Sequence, residues 1–366
     1  MNICKKSLEK LIKEICTIPS PSGLEAIKAE FIKRWLIEHG VDDCIIDEKN
    51  NVIVNYGNAA LTKIVFMAHI DTVYSLDVDL KIKENDETIR CPSVSDNSAN
   101  VAGLMMAIEQ LIKNKVVFKN YNLMFVFSAC EEGLGNSDGC RYFMQTYKNI
   151  KEFYTVDGPY SSILCDAVGS HRYEISVCTK GGHSYTAFGN ENSIHIIAQI
   201  IDDLYKIVLP KNNKTTFNVG TIKGGTTINS IASSASMLYE YRSDNNECLH
   251  YMQDKFNEII SKHQKSNCEI IVRTLGNRPC SKDVNQDAQE LLLNRIEEIH
   301  KKVLGRKSPR GISCTDGSIP LSMGIPASSI SVYLGEGNHS ANDELLFKHS
   351  LVDGVKLLME TILSYS

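Results

Sequence analysis

No two of the twelve cysteines in this chain are spaced C-x-x-C. Their scatter argues against a zinc ribbon and indicates no disulfide framework, and it fits a reducing cytoplasm. No uncharged apolar run approaches the roughly 18 residues that a membrane span needs. The charged amphipathic start, Met1-Asn2-Ile3-Cys4-Lys5-Lys6, lacks the apolar core of a signal peptide. Neither membrane insertion nor secretion is therefore expected. Basic blocks are missing as well: 39 Lys and Arg against 44 Asp and Glu leave a net charge of −5, which gives no support for nucleic-acid binding. There is no internal repeat and no low-complexity segment. What is present is an ordinary globular composition, 43% hydrophobic and 23% charged, over 366 residues, enough for two domains or one large one.

The pattern along the chain alternates between helical and strand spacing. Leu8, Leu11, Ile12 and Ile15 predict a first helix. Ser22 with Glu25 three residues later reads as a capping box for a second helix, to about Glu38, stopped by His39-Gly40. Strands are expected at 44–47 and 51–56. Two apolar runs, Lys63-Ile64-Val65-Phe66-Met67-Ala68 and the charge-free Leu123-Met124-Phe125-Val126-Phe127, read as buried strands, the second buried on both faces. Between them lie a hairpin-like segment at 79–94 and a helix at about 98–113. A helix around 137–148 and a strand at 153–158 follow. From about residue 170 the order becomes β-α-β-β-α-β, with strands at 173–178, 215–222, 235–243 and 269–275 and helices at about 191–208 and 246–264. That order describes a two-layer unit of the ferredoxin-like type, inserted into the larger pattern. Beyond Pro279 the α/β pattern resumes, with a helix at about 284–303, a strand at 328–333 and a closing helix at about 348–363. Thr315-Asp316-Gly317 is expected just before a strand.

The chemistry gathers where strands end. The first buried strand runs into His69-Ile70-Asp71-Thr72, the second into Glu131-Glu132-Gly133, and the third into Asp157-Gly158. In open α/β sheets function collects at carboxyl ends of strands. Positions i and i+2 of an extended chain face the same way, so Asp71 is placed to hold His69 or a neighbouring acid. Glu131 and Glu132 point differently and need not share an environment: one can bind a metal while the other moves a proton. Asp96 precedes a helix N-terminus, which favours a carboxylate. His339 sits after the last strand. Taken singly, each of these also reads as a cap, a solvated turn or a surface group. The histidines at 39, 171, 195, 250, 263, 300 and 349 have no partner pattern and read as structural or surface residues.

Together the motifs Met67-Ala68-His69-Ile70-Asp71-Thr72, Ser95-Asp96-Asn97, Glu131-Glu132-Gly133, Val156-Asp157-Gly158 and Gly337-Asn338-His339-Ser340 resemble, in order and spacing, the M20 metallopeptidases and amidohydrolases. The resemblance covers nearly the whole chain. It implies an α/β fold: a discontinuous catalytic domain, 1–170 and 277–366, with a central mixed sheet flanked by helices, and an inserted ferredoxin-like α+β lid, 171–276. It implies two divalent metal ions, zinc first with manganese or cobalt as alternatives. His69, Glu132, Asp157 and His339 would divide between them, and Asp96 would bridge both. Glu131 would be the general base and Asp71 would sit behind His69. Hard carboxylates and imidazoles suit such a pair. In the lid, Gly181-Gly182-His183-Ser184, Gly224-Gly225-Thr226-Thr227-Ile228-Asn229 and Tyr241-Arg242-Ser243 are similar to the family's substrate-binding motifs. They make His183, Asn229 and Arg242 the candidate substrate contacts, the arginine fork suiting a carboxylate. A homodimer through the lid is the assembly implied.

Two departures from the family pattern concern substrate rather than ligands. Asn192-Ser193-Ile194-His195 stands where relatives have a helix led by Asn-Ala, and Asn97-Ser98 and Asn100 stand where many have a lysine and a glycine. The leading expectation is a cytoplasmic two-metal exopeptidase acting on short peptides, of the peptidase T or carboxypeptidase kind. An N-acyl-amino-acid amidohydrolase uses the same centre with a different pocket. A non-catalytic binding protein on the same fold would have lost a ligand or the base, and all seven positions hold suitable residues.

Overall fold

Every residue of the strand Asn122–Ser128 is buried. Its side chains alternate between two cores: Leu123, Phe125 and Phe127 enter one, Met124 and Val126 the other. The neighbouring strand Lys63–His69 does the same, with Ile64, Phe66 and Ala68 on one side and Val65 and Met67 on the other. Side chains of period two, covered on both faces, produce the uninterrupted apolar runs seen in the sequence.

The computed structural model describes residues 4–158, 160, 162–281 and 284–366. The chain divides into two compact units, Met1–Ala167 with Lys282–Ser366, and Val168–Ser281. In the first unit eight strands form one sheet: β1 (Cys44–Ile46), β2 (Val52–Tyr56), β3 (Lys63–His69), β4 (Asn122–Ser128), β5 (Ile150–Val156), β6 (Ile163–Ala167), β7 (Arg310–Ser313) and β8 (Ala327–Ile330), in the order β1-β2-β4-β3-β5-β8-β6-β7. The sheet is mixed. Neighbours β4, β3, β5 and β8 run parallel, in registers that set His69 opposite Ser128 and Met67 opposite Thr155. Their carboxyl ends therefore open side by side. One face carries the helices Lys5–Cys16, Ala26–Glu38, Ala99–Lys113, Gln286–Leu304 and Leu351–Leu363; the other carries Asp138–Thr146 and the short Ser318–Ser322. Among the described residues no helix is long and apolar enough to cross a membrane.

The second unit has the order strand Gly169–Thr179, helix Ser193–Tyr205, strands Thr215–Gly224 and Ser234–Ser243, helix Asn246–His263 and strand Cys268–Arg278. The four strands form an antiparallel sheet with Gly169–Thr179 between Ser234–Ser243 and Cys268–Arg278, and Thr215–Gly224 at the edge. This is the ferredoxin-like arrangement. Both helices pack through Ile197, Ile200, Met252 and Phe256 onto Ile175, Val177, Met237 and Tyr239. Asn192 and Asn245 cap them, accepting from the Ile194 and Cys248 amides.

Two local expectations change. The helix Ala26–Glu38 has no side-chain cap, because the supposed capping box is engaged elsewhere. Ser22 donates to Asp71 Oδ2 at 2.6 Å, and Glu25 Oε1 accepts from the Gly23 and Cys130 amides at 2.6 and 3.1 Å. Thr315-Asp316-Gly317 precedes the helix Ser318–Ser322 rather than a strand, its Ile319 and Leu321 being buried against the sheet. A short apolar run does not tell helix from strand.

Candidate metal centre

At the end of β3 the His69 imidazole is buried, with Nε2 3.0 Å from Asp96 Oδ1 and Nδ1 3.2 Å from the Asp71 carbonyl and 3.5 Å from Asp71 Oδ1. Asp71 also holds the end of the neighbouring strand. Its Oδ1 accepts from the Glu131 amide at 2.8 Å and its Oδ2 from the Glu132 amide at 2.9 Å. One buried carboxylate thus orients the imidazole and both links of the Glu-Glu pair.

Asp96 lies on the irregular turn Val94–Ser98 before the helix Ala99–Lys113, and the Asp96–Asn97 peptide is cis. Its two oxygens face different imidazoles: Oδ1 meets His69, and Oδ2 is 3.2 Å from His339 Nε2. His339, at φ 65°, also meets Glu132 Oε1 at 3.2 Å. Three sets of donor atoms each converge within 4.8 Å: His69, Asp96 and Asp157; Asp96, Glu132 and His339; and His69, Glu131 and Glu132. The first two sets each offer one imidazole nitrogen and two carboxylates and share Asp96, a donor set that fits a pair of divalent cations.

The electrostatics are those of crowded acids around two imidazoles. Burial pushes the Asp157 carboxyl up to about 7, helped by the Asp96 charge beside it. Burial acts on Asp96 in the same sense, but hydrogen bonds from His339 and His69 outweigh it and hold the carboxyl well below the usual range. Bonds to Asp96 and Glu132 raise His339 to about 10. His69 is raised well above its ordinary value by Asp71 and Asp96, against the opposing effect of burial. A site that gathers protons this strongly is one where positive charge is stabilised.

The seven residues singled out around the strand ends, His69, Asp71, Asp96, Glu131, Glu132, Asp157 and His339, are thus brought together at one sheet edge. In the second unit, His183 and Asn229 are neighbours: Gly182–His183 pairs with Ser230–Ile231, and the Ser184 amide donates to the Asn229 carbonyl at 3.0 Å. Arg242 is not with them. It lies near the far end of Ser234–Ser243, about 25 Å along the strand from Ser234, and its fork donates to Glu240 at 3.1 Å through both Nε and Nη2. Of the histidines read as structural, His263 pairs with Asp203 at 2.8 Å and His300 is buried against Ser308 at 2.6 Å. Sequence reasoning missed Ser22 and Glu25, which brace the Glu-Glu turn, and Glu344, which braces Asp96. A carboxylate five residues after His339 was the available signal for the last, and no periodicity marks it.

Residues 167–268 match the model of the M20 peptidase dimerisation domain. The chain is 28% identical over 267 residues to a probable carboxypeptidase of Ajellomyces dermatitidis, covering 64% of this chain and 60% of that protein. The match to the curated carboxypeptidases therefore spans about 60% of their length. It is 26% identical over 211 residues to the acetylornithine deacetylase of Buchnera aphidicola subsp. Schizaphis graminum, covering 53% of this chain and 54% of that one. In fold it is similar to a solved tripeptidase from Staphylococcus aureus, with a TM-score of 0.78, 21% identity and 99% of each chain covered. The chain is thus similar to M20 peptidases and amidohydrolases, and its inserted unit matches their dimerisation domain.

Proposed function

We propose that this protein is a two-cation amide hydrolase that cleaves short peptides as an exopeptidase. The observation that carries the reading is the orientation of Asp96, whose two oxygens face His69 and His339 and so serve two donor sets at once. His69, Asp96 and Asp157 would hold one divalent cation, and Asp96, Glu132 and His339 the other. Cations bound there supply Lewis acidity to the scissile carbonyl and to the attacking water. Glu131, the acid left outside these two sets, is buried at the same edge with its amide held by Asp71. Its carboxylate takes a proton from water as the oxygen–carbon bond forms. It then returns the proton to the leaving amine as the carbon–nitrogen bond breaks, a role worth typically 10²–10⁴-fold. Asp71 keeps the His69 imidazole and the Glu131-Glu132 backbone in place throughout.

The similarity to an acetylornithine deacetylase favours one second reading, cleavage of N-acyl amino acids at the same centre. His183, Asn229 and Arg242 remain the candidate substrate contacts of the inserted domain, and its match to a dimerisation model supports a homodimer. The twelve free thiols support a cytoplasmic location. A panel of di- and tripeptides and N-acetyl amino acids, run with zinc, manganese and cobalt, tests the assignment. Metal-dependent release of a terminal amino acid from peptides is the expected result. Preferential turnover of N-acetyl substrates transfers the assignment to the second reading, and no amide hydrolysis with any metal overturns both.

A further inference from the structure

Five hydrogen bonds end on one buried carboxylate that the proposed chemistry does not use. Glu344 Oε1 accepts from the Ser95 amide at 2.9 Å, the Ser95 hydroxyl at 2.8 Å and the Asp96 amide at 2.9 Å. Its Oε2 accepts from the Tyr74 hydroxyl at 2.6 Å and the Ser93 amide at 2.8 Å. The three amides belong to the turn that presents Asp96, where Ser93 adopts a left-handed conformation with φ 63°. Glu344 itself closes the segment that presents His339, its own amide donating to the Ser340 carbonyl at 3.0 Å. Asn338 completes the link: its Oδ1 lies 2.9 Å from Ser95 Oγ, sharing the single hydroxyl proton with Glu344, and its Nδ2 donates to Asp96 Oδ2 at 3.4 Å.

We propose that Glu344 is a positioning residue for the shared ligand, holding the Ser93–Asp96 backbone so that Asp96 turns one oxygen to each imidazole. The inference rests on the reading of Asp96 as the residue common to both cation sites. Glu344 is buried, and the one proposed ligand its carboxylate bonds is Asp96, through the backbone amide. Both of its oxygens face donors alone. A glutamine there must turn its own NH₂ toward either the two donors on one side or the three on the other, whichever way the amide flips. Glu344→Gln is therefore disruptive while nearly isosteric.

The test is a calorimetric titration of the full chain with Zn²⁺ and with Mn²⁺, for wild type, Glu344→Gln and Tyr74→Phe. It is accompanied by urea unfolding of the metal-free proteins and by kinetics at saturating metal. Glu344→Gln should weaken cation affinity about 10–100-fold, the range for residues that orient ligands. Its kcat should recover as metal is raised, at unchanged KM. Tyr74→Phe, which removes one bond of the five, should weaken affinity in the same direction by less, and it decides the matter if Glu344→Gln does not fold. A variant that binds the cation as tightly as wild type, even with a lower urea midpoint, makes Glu344 merely structural and overturns the inference alone. A wild-type chain that binds neither cation overturns the two-cation reading and the inference with it.

Discussion

Glu131 and Glu132 are chain neighbours whose surroundings divide their work. Both amides end on Asp71, but the Glu132 carboxylate meets His339 and belongs to two donor sets, whereas Glu131 belongs only to the set with His69 and Glu132. Glu131→Gln keeps the shape and removes the base, so turnover should fall by about 10²–10⁴-fold while metal content by elemental analysis stays at the wild-type level. Glu132→Ala should lose metal and activity together. A Glu131→Gln protein working at the wild-type rate removes Glu131 from the mechanism. Asp71→Asn turns an NH₂ toward groups that already donate, the Glu131 or Glu132 amide and Ser22, and should lower kcat by about 10–100-fold; an unchanged kcat would show that the backbone bonds suffice without the charge. The ligands themselves were legible because five short motifs in order resemble one family: His69 and Asp157 directly follow apolar runs, whereas Asp96 and His339 lie on turns that only the motif pattern marks. The residues that hold them were not, since Ser22, Glu25 and Glu344 reach the site from 49 to 251 positions away in sequence and leave no local pattern.

Elements were legible wherever burial is one- or two-sided along a continuous segment. The helix Ala99–Lys113 and the buried strands β3 and β4 follow directly from spacing and run length. The order of the inserted unit emerged from the alternation of its Tyr- and Ile-containing strands with two amphipathic helices. What spacing does not carry is which backbones touch. Gly354 shows this: it sits inside the helix Leu351–Leu363, where glycine is unfavourable by propensity. A Cβ built on it would lie 1.8 Å from the Val332 carbonyl oxygen and 2.2 Å from the carbonyl carbon. The helix approaches the chain beyond β8 so closely that only glycine fits, and β8 borders β5, which ends at Val156, just before Asp157. Gly354→Ala should therefore destabilise despite the better helix propensity of alanine, by about 1–3 kcal/mol or more as overpacking does. Urea unfolding measures this. A midpoint equal to or above that of wild type would mean that the helix shifts freely.

At the scale of the molecule, buried thiols, buried tyrosines and one buried lysine shape stability in alkali. Burial pushes the Cys44 thiol up to about 11 and that of Cys140 well above the usual range, and a hydrogen bond with Cys91 together with burial does the same for Cys16. The unfolded chain releases these protons near pH 9 while the native chain keeps them, so above that pH the native state binds more protons and loses stability. Lys28 works in the opposite sense. Burial lowers its ammonium to about 8 against about 10.5 when exposed, so between those values the unfolded chain holds the extra proton and stability rises. Burial pushes Cys130 up to about 12 as well and raises the buried tyrosines Tyr74, Tyr154 and Tyr239, so the groups that keep their protons only in the native state outweigh one lysine. Above about pH 9 stability should therefore fall, by at least about 2 kcal/mol per pH unit near pH 10. Urea midpoints taken from pH 8 to 10 under reducing conditions read this directly. Cys44→Ala should make the decline shallower by about 1 kcal/mol per pH unit, because it removes one of the protons held only by the native state. A midpoint that climbs steadily to pH 10 would mean that the thiols titrate alike in both states and that Lys28 alone sets the trend.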